Sequence, residues 1–251
     1  YNPGNPPWEN AEGTGAWGSD HTCPIAVACA GDHAFLGWPH SEGGAPVIGV
    51  SATTLKKVWH GPGNFRGVPA GATALAANSR HLYCVHRGGA PATGAAEPLL
   101  TLRDLHTGVV VRNVQLKSLV PDYRSPTGLP MHHHGVANLA NARDYFYAAD
   151  GGLRDIAVTE DVVAISLSGN DRILMLDAES LDKIRDWAVS SPESIAFGPK
   201  GRLYVVTEEQ VIRFDTDTGE RNVAVTPGIG KYGAIAVDAA GHLYVADLGP
   251  D

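Results

Sequence analysis

The chain has 251 residues, 43% of them hydrophobic, with 30 glycines and 17 prolines spread along it; this balance excludes a disordered polymer and calls for many turns. Its formal charge of −8 gives no basic footprint for nucleic acid. No run approaches the roughly 18 apolar residues a helical bilayer span needs, and the three cysteines, Cys23, Cys29 and Cys84, form no Cys-x-x-Cys motif and allow one bridge at most.

Residues 1–20 carry no strand alternation, are rich in Pro, Gly and Asn, and read as an irregular N-terminal segment. From there a four-residue opening recurs: Pro24-Ile25-Ala26-Val27, Ala74-Leu75-Ala76-Ala77, Asp155-Ile156-Ala157-Val158, Ser194-Ile195-Ala196-Phe197 and Ala234-Ile235-Ala236-Val237. Ile156 to Ile195 is 39 residues and Ile195 to Ile235 is 40, while Ile25 to Leu75 is 50 and Leu75 to Ile156 is 81, about two periods. A period of about 40 residues is the length of one four-stranded propeller blade. Blades are therefore expected at about 21–60, 71–114, 151–190, 191–228 and, in part, 229–251. Residues 115–150, with Pro121, Pro126, Pro130 and the run His132-His133-His134, are a degenerate blade or an insertion. The 81-residue interval favours a poorly matching blade, because a structureless loop of that length is unusual in a compact domain.

The copy from Ser194 to Val225 shows the internal plan. A first strand ends at Gly198-Pro199-Lys200-Gly201, which can only turn, and Arg202 to Val206 forms the second strand. Val211 to Phe214 runs into Asp215-Thr216-Asp217-Thr218-Gly219, a reversal whose side chains can bond their own backbone, and Asn222 to Val225 closes the blade. The same Asp-x-x-Thr-Gly reversal stands at Asp104 to Gly108, and Asp177-Ala178-Glu179-Ser180 takes its place in another copy. Near-continuous apolar runs such as Ile173 to Leu176 and Leu82 to Val85 fit strands covered on both faces. Cys29 and Cys84 fall in such strands and read as small buried hydrophobes. Apolar residues nowhere keep helical spacing for long. The fold expected is all-β, a propeller of four-stranded antiparallel blades. The last copy stops two strands short, so the propeller is expected to be completed by chain beyond Asp251 or by another protein chain.

Gly201-Arg202-Leu203-Tyr204-Val205, Gly241-His242-Leu243-Tyr244-Val245-Ala246-Asp247 and Ser168-Gly169-Asn170-Asp171-Arg172-Ile173 resemble blades of NHL-repeat propellers, and the Asp-x-x-Thr-Gly hairpins resemble quinoprotein-like propellers. The resemblance covers about 24–114 and 153–251 and implies the architecture alone, since it includes no catalytic signature.

Ligand sites in propellers usually gather at one mouth of the central channel, from loops entering first strands and loops joining second to third strands. Trp17, Asp20, Arg154, Glu193 and Tyr232 are the ligand-binding candidates on that count, with His40, His86, Asn170, Glu208 and Asp247 in the second set of loops. Neutral imidazoles favour a transition metal. In an extended segment only alternate side chains share a side, so His132 and His134 are the pair to join His21 around such an ion. A solvated histidine cluster explains the same run. Trp17 can belong to a glycan or peptide platform or pack the N-terminal segment. The expectation is a ligand-binding or protein-assembly module outside the cytoplasm, periplasmic or secreted. The alternative is a metal-dependent hydrolase, lyase or oxidoreductase with a histidine-held ion at the channel mouth.

Overall fold

Each opening tetrad lies in or borders the first strand of an antiparallel sheet. The computed structural model describes residues 26–37, 47–60, 72–86, 99–120, 153–225 and 232–247, and the chain divides into two units, Tyr1–Asp150 and Gly151–Asp251. The first unit holds β1 (Ala26–Ala30), β2 (His33–Gly37), β3 (Val47–Ser51) and β4 (Lys57–His60), paired in that order, and β5 (Ala72–Ala77), β6 (His81–His86), β7 (Leu99–Asp104) and β8 (Val110–Gln115), likewise in order. The second unit holds β9 (Leu153–Val158), β10 (Val162–Leu167), β11 (Arg172–Asp177) and β12 (Lys183–Ala188); then β13 (Ile195–Gly198), β14 (Arg202–Val206), β15 (Val211–Asp215) and β16 (Arg221–Val225). Its third sheet, the fifth described in the chain, pairs β17 (Tyr232–Val237) with β18 (Leu243–Asp247). Neighbours in every sheet are consecutive and antiparallel, as in the register Ile195↔Val205 and Val205↔Ile212. These four-stranded sheets are the blades the sequence predicts.

Residues 121–152 lie outside the described residues. The described start of the 115–150 segment is a single helical turn, α1 (Leu116–Leu119), which buries Leu116.

Both faces of the middle strands are covered, as their composition requires. β6 is buried from Leu82 to His86, and β11 from Ile173 to Leu176. In the first unit Phe35, Val47 and Trp59 pack against Leu75, Leu82 and Cys84 of the next sheet. In the second unit Ile173 and Met175 meet Leu203, Val205 and Phe214, while Tyr204, Val206 and Val211 meet Ile235, Val237, Leu243 and Val245. Each fully buried Leu or Ile contributes about 1.5–3 kcal/mol. One expectation fails: Cys84 is buried, but Cys29 is exposed, on the same face of β1 as the 64%-exposed Val27, because alternation turns both away from the seam with the second sheet.

The reversals between third and fourth strands are built as their sequence suggests. Asp104 Oδ1 accepts the Thr107 N–H and hydroxyl, both at 2.8 Å, and Asp215 Oδ1 accepts the same two groups of Thr218 at 2.8 and 3.0 Å. Asp177 Oδ1 accepts the Ser180 N–H at 2.7 Å. These donors hold the carboxyls of Asp104 and Asp215 below the usual carboxylate range.

The reversals at Asp104 and Asp215 also meet a tryptophan-bearing strand of the preceding sheet. Trp59 of β4 donates its indole N–H to Leu105 O at 2.7 Å. Its ring lies so close to Gly49 and Gly108 that a Cβ at either would overlap it, at 2.7 Å from Cε2 in the case of Gly49. In the second unit Trp187 of β12 stacks on Phe214, ring centroids 4.6 Å apart, and Arg185 donates to Thr216 O and Asp217 O at 3.3 Å. The outer strand of one sheet thus grips the reversal of the next.

Candidate functional site

The position ahead of each Ile-Ala pair is where the second unit concentrates polar contacts. Asp155 in β9 and Ser194 ahead of β13 occupy equivalent places in successive copies. Ser194 Oγ donates to Asp155 Oδ2 at 2.7 Å, and the Ile195 N–H reaches the same oxygen at 3.0 Å. Ser194 Oγ in turn accepts the Ile235 N–H at 3.3 Å, from the first strand of the fifth sheet. First strands of three successive sheets are therefore tied side chain to backbone. Alanine at the equivalent place, Ala234, has no side-chain acceptor to continue the series.

Beside this series two of the ligand-binding candidates, Arg154 and Glu193, form an ion pair. Arg154 Nε is 3.4 Å from Glu193 Oε2, with about a fifth of each side chain exposed. Glu193 is fixed by its backbone: its N–H donates to Val206 O at 2.8 Å, and its carbonyl accepts the buried Ser166 hydroxyl at 2.7 Å. The two form a partly buried ion pair at the end of the sheets where first strands begin.

The other candidates divide. Tyr232 opens β17, where its backbone pairs with Asp247. Asn170 lies in the 3-10 turn Ser168–Asn170 that joins β10 to β11, and Glu208 in the turn joining β14 to β15, as expected. His86 is not a loop residue: it ends β6, is fully buried, and its Nε2 lies 2.9 Å from the Thr101 hydroxyl. The strand continues one residue further than the sequence suggests, which removes this imidazole from any open mouth. Trp17, Asp20, His21, His40, His132 and His134 lie outside the described residues. Among the described residues no three His, Cys, Asp or Glu side chains stand together as a metal set.

The second unit also contains a pocket of about 430 Å³ beside the turn joining β14 to β15. Glu208 and Glu209 border it on that turn, Ser190 and Ser191 follow β12, and Arg221, Asn222 and Val223 come from β16. The turn is braced by Thr207, whose hydroxyl donates to Gln210 O at 3.0 Å and accepts the Gln210 N–H at 3.2 Å. Asp171 Oδ1 accepts the Ser191 N–H at 2.8 Å and pins the wall opposite. Sequence reasoning reached Glu208 through its loop but not the pocket, which needs the next strand of the same sheet and the end of the previous one.

No protein-family model matches the chain, and no curated protein matches it in sequence. Among solved structures it is similar to Kuenenia stuttgartiensis hydrazine synthase, with 14% identity over 92% of this chain and 57% of that one and a TM-score of 0.59. It is similar to the β-propeller domain of Cps50 (Swd1) from Myceliophteria thermophila, with 15% identity over 89% and 62% and a TM-score of 0.57. The Pan2 WD40 domain of Neurospora crassa gives 11% identity over 88% and 59% and a TM-score of 0.56. The chain spans about three fifths of the length of these structures. Likeness at such low identity establishes a β-propeller architecture and no particular member of it.

Proposed function

We propose that the chain is a propeller module for protein assembly, and that its fifth sheet is completed by strands from chain beyond Asp251 or from a partner protein. The observation that carries this is the bare side of β17 and β18. Ile235, Val237, Leu243 and Val245 face the fourth sheet, whereas Ala234, Ala236, Ala246 and the 58%-exposed Tyr244 face outward. Among the described residues β18 also has no strand on its far side, although each of the other four sheets continues to a third and fourth strand. An unpaired edge with an apolar face is a template for added strands. Ligand contacts on the same reading come from the end of the sheets that carries Arg154, Glu193 and Tyr232.

A photo-cross-linking amino acid at Tyr244 tests the assembly face in source cells. One defined cross-linked species, lost on Ala236→Lys and missing when the cross-linker stands at the exposed Val109 of the second sheet, is the expected result. A chain that stays uncross-linked at position 244 would remove the assembly reading.

A further inference from the structure

We propose that His33 and His106 together hold a zinc ion that fastens the first sheet to the second. The site lies within the first unit, uses none of His21, His132 and His134, and does not depend on the assembly reading. His33 opens β2 of the first sheet, and His106 lies in the reversal between β7 and β8 of the second. Their ring centres are 5.1 Å apart, with the ring planes at 72°. Two imidazoles bound through one nitrogen each to a tetrahedral ion, at about 2.0–2.1 Å, bring their ring centres to about 5 Å. Right-angled positions on a square-planar or octahedral ion would bring them to about 4.5 Å, so the spacing suits zinc better than copper or nickel.

The two residues are positioned without help from an ion. The His33 ring stacks on the fully buried Phe35, ring centres 6.0 Å apart and planes at 6°. Its strand is paired on both sides, with His33 opposite Ala30 and Ser51. His106 is pinned by its N–H, which donates to Asp104 Oδ1 at 3.0 Å, and by the preceding carbonyl of Leu105, which accepts the Trp59 indole N–H at 2.7 Å. That second bond comes from the first sheet, so the backbones carrying the two imidazoles are already tied. Neither imidazole makes a hydrogen bond among the described residues, and His106 is exposed, so its ring can turn a nitrogen toward an ion without losing one. The carboxylates of Asp32 and Asp104 stand close enough for their charge to act on His33 and His106 respectively, which favours a cation there. No third His, Cys, Asp or Glu joins the pair among the described residues, so water completes the shell.

The two histidines meet only when the sheets are packed, so zinc should raise the melting temperature of the full chain. Calorimetric titration with zinc chloride in a non-chelating buffer, at about pH 7.5 where imidazoles are neutral, measures the binding itself. His33→Gln and His106→Gln should each weaken binding roughly tenfold or more, and the melting shift should vanish in both. Both should persist when His132→Ala, His133→Ala and His134→Ala are combined, since that run supplies neither ligand. His106 is exposed, and an unchanged melting temperature without zinc confirms that its variant folds. Heats and melting shifts that are the same in the parent and His106→Gln, that disappear with the His132–His134 run, or that are absent at millimolar zinc, overturn the proposal.

Discussion

The Ser194 hydroxyl donates to the Asp155 carboxylate at 2.7 Å across the seam between the third and fourth sheets, and the same hydroxyl accepts the Ile235 N–H at 3.3 Å from the fifth. One small side chain therefore joins three successive first strands. Its acceptor, Asp155, also takes the Ile195 N–H at 3.0 Å, so the two residues share responsibility for the alignment of the inner edge.

Removing either end of that pair should be measurable. Ser194→Ala should cost about 1 kcal/mol, and Asp155→Ala about 2–3 kcal/mol because a charged acceptor of several donors is lost. Urea titration of the single and double variants should give a coupling of about 1 kcal/mol. Strict additivity would mean that the two groups act independently.

Two glycines with positive φ should respond differently to alanine. Gly31 has φ +55° and nothing within 4 Å of a built Cβ, so Gly31→Ala should cost about 1–2 kcal/mol from backbone conformation alone. Gly108 has φ +68°, but its Cβ would overlap the Trp59 ring. The backbone shape itself is not prohibitive there, since Leu55 and Leu181 hold φ of 56° and 59° at the same place in their own reversals. Gly108→Ala should therefore exceed Gly31→Ala by about 1–3 kcal/mol through overpacking, with a change in tryptophan emission. Equal melting temperatures for the two variants would contradict the close fit of Trp59.

Acid should weaken the fold in a defined window. The His242 side chain, then its backbone N–H and the Tyr244 hydroxyl, pull Asp238 from 3.8 down to about 2. A folded-state pKa below the unfolded one gives stability that is complete above about pH 4 and is lost as pH falls toward about 2. Asp32, Asp104 and Asp215 are shifted in the same direction by their Thr and Ser partners and add to the loss. Urea midpoints for Asp238→Asn should fall less steeply between those pH values than those of the parent chain. Parallel slopes would show that the Asp238–His242 contact contributes nothing in solution.

The thiols should separate by accessibility. Burial pushes Cys84 up to about 11, against the opposing charge of Arg103 and the hydroxyl of Thr101, whereas Cys29 is exposed. In a Cys23→Ser background, an aromatic disulfide reagent should titrate one thiol promptly and the second only as the sheet opens. Two prompt thiols would place Cys84 near the surface.

The sheets were legible because a first strand packed between neighbours needs small and β-branched residues, and the Ile-Ala pair repeats that need at Ile156, Ile195 and Ile235. Arg154 and Glu193 were placed at the entry to such strands from sequence, but their pairing was not. The tie through Asp155 and Ser194 was not, because Asp, Ser and Ala at that place share no property until the strands stand side by side. Trp59 and Trp187 escaped notice for the same cause: Trp59 bonds a carbonyl 46 residues away, and no local spacing marks it. His86 was misplaced because Gly88 and Gly89 close behind it suggest a loop, while its hydrogen bond to Thr101 extends the strand. Trp17, Asp20, His21, His132 and His134 belong to sequence without repeating pattern, and the described residues do not include them.

The grip of Trp59 on Gly108, and of Trp187 on Phe214, runs in one direction only, from an earlier sheet to a later one. Among the described sheets the first and third carry the indole and the second and fourth receive it, since β8 and β16 hold no aromatic residue. Within each unit such a pair of sheets is therefore ordered, and exchanging its two members would part the indole from the place that receives it.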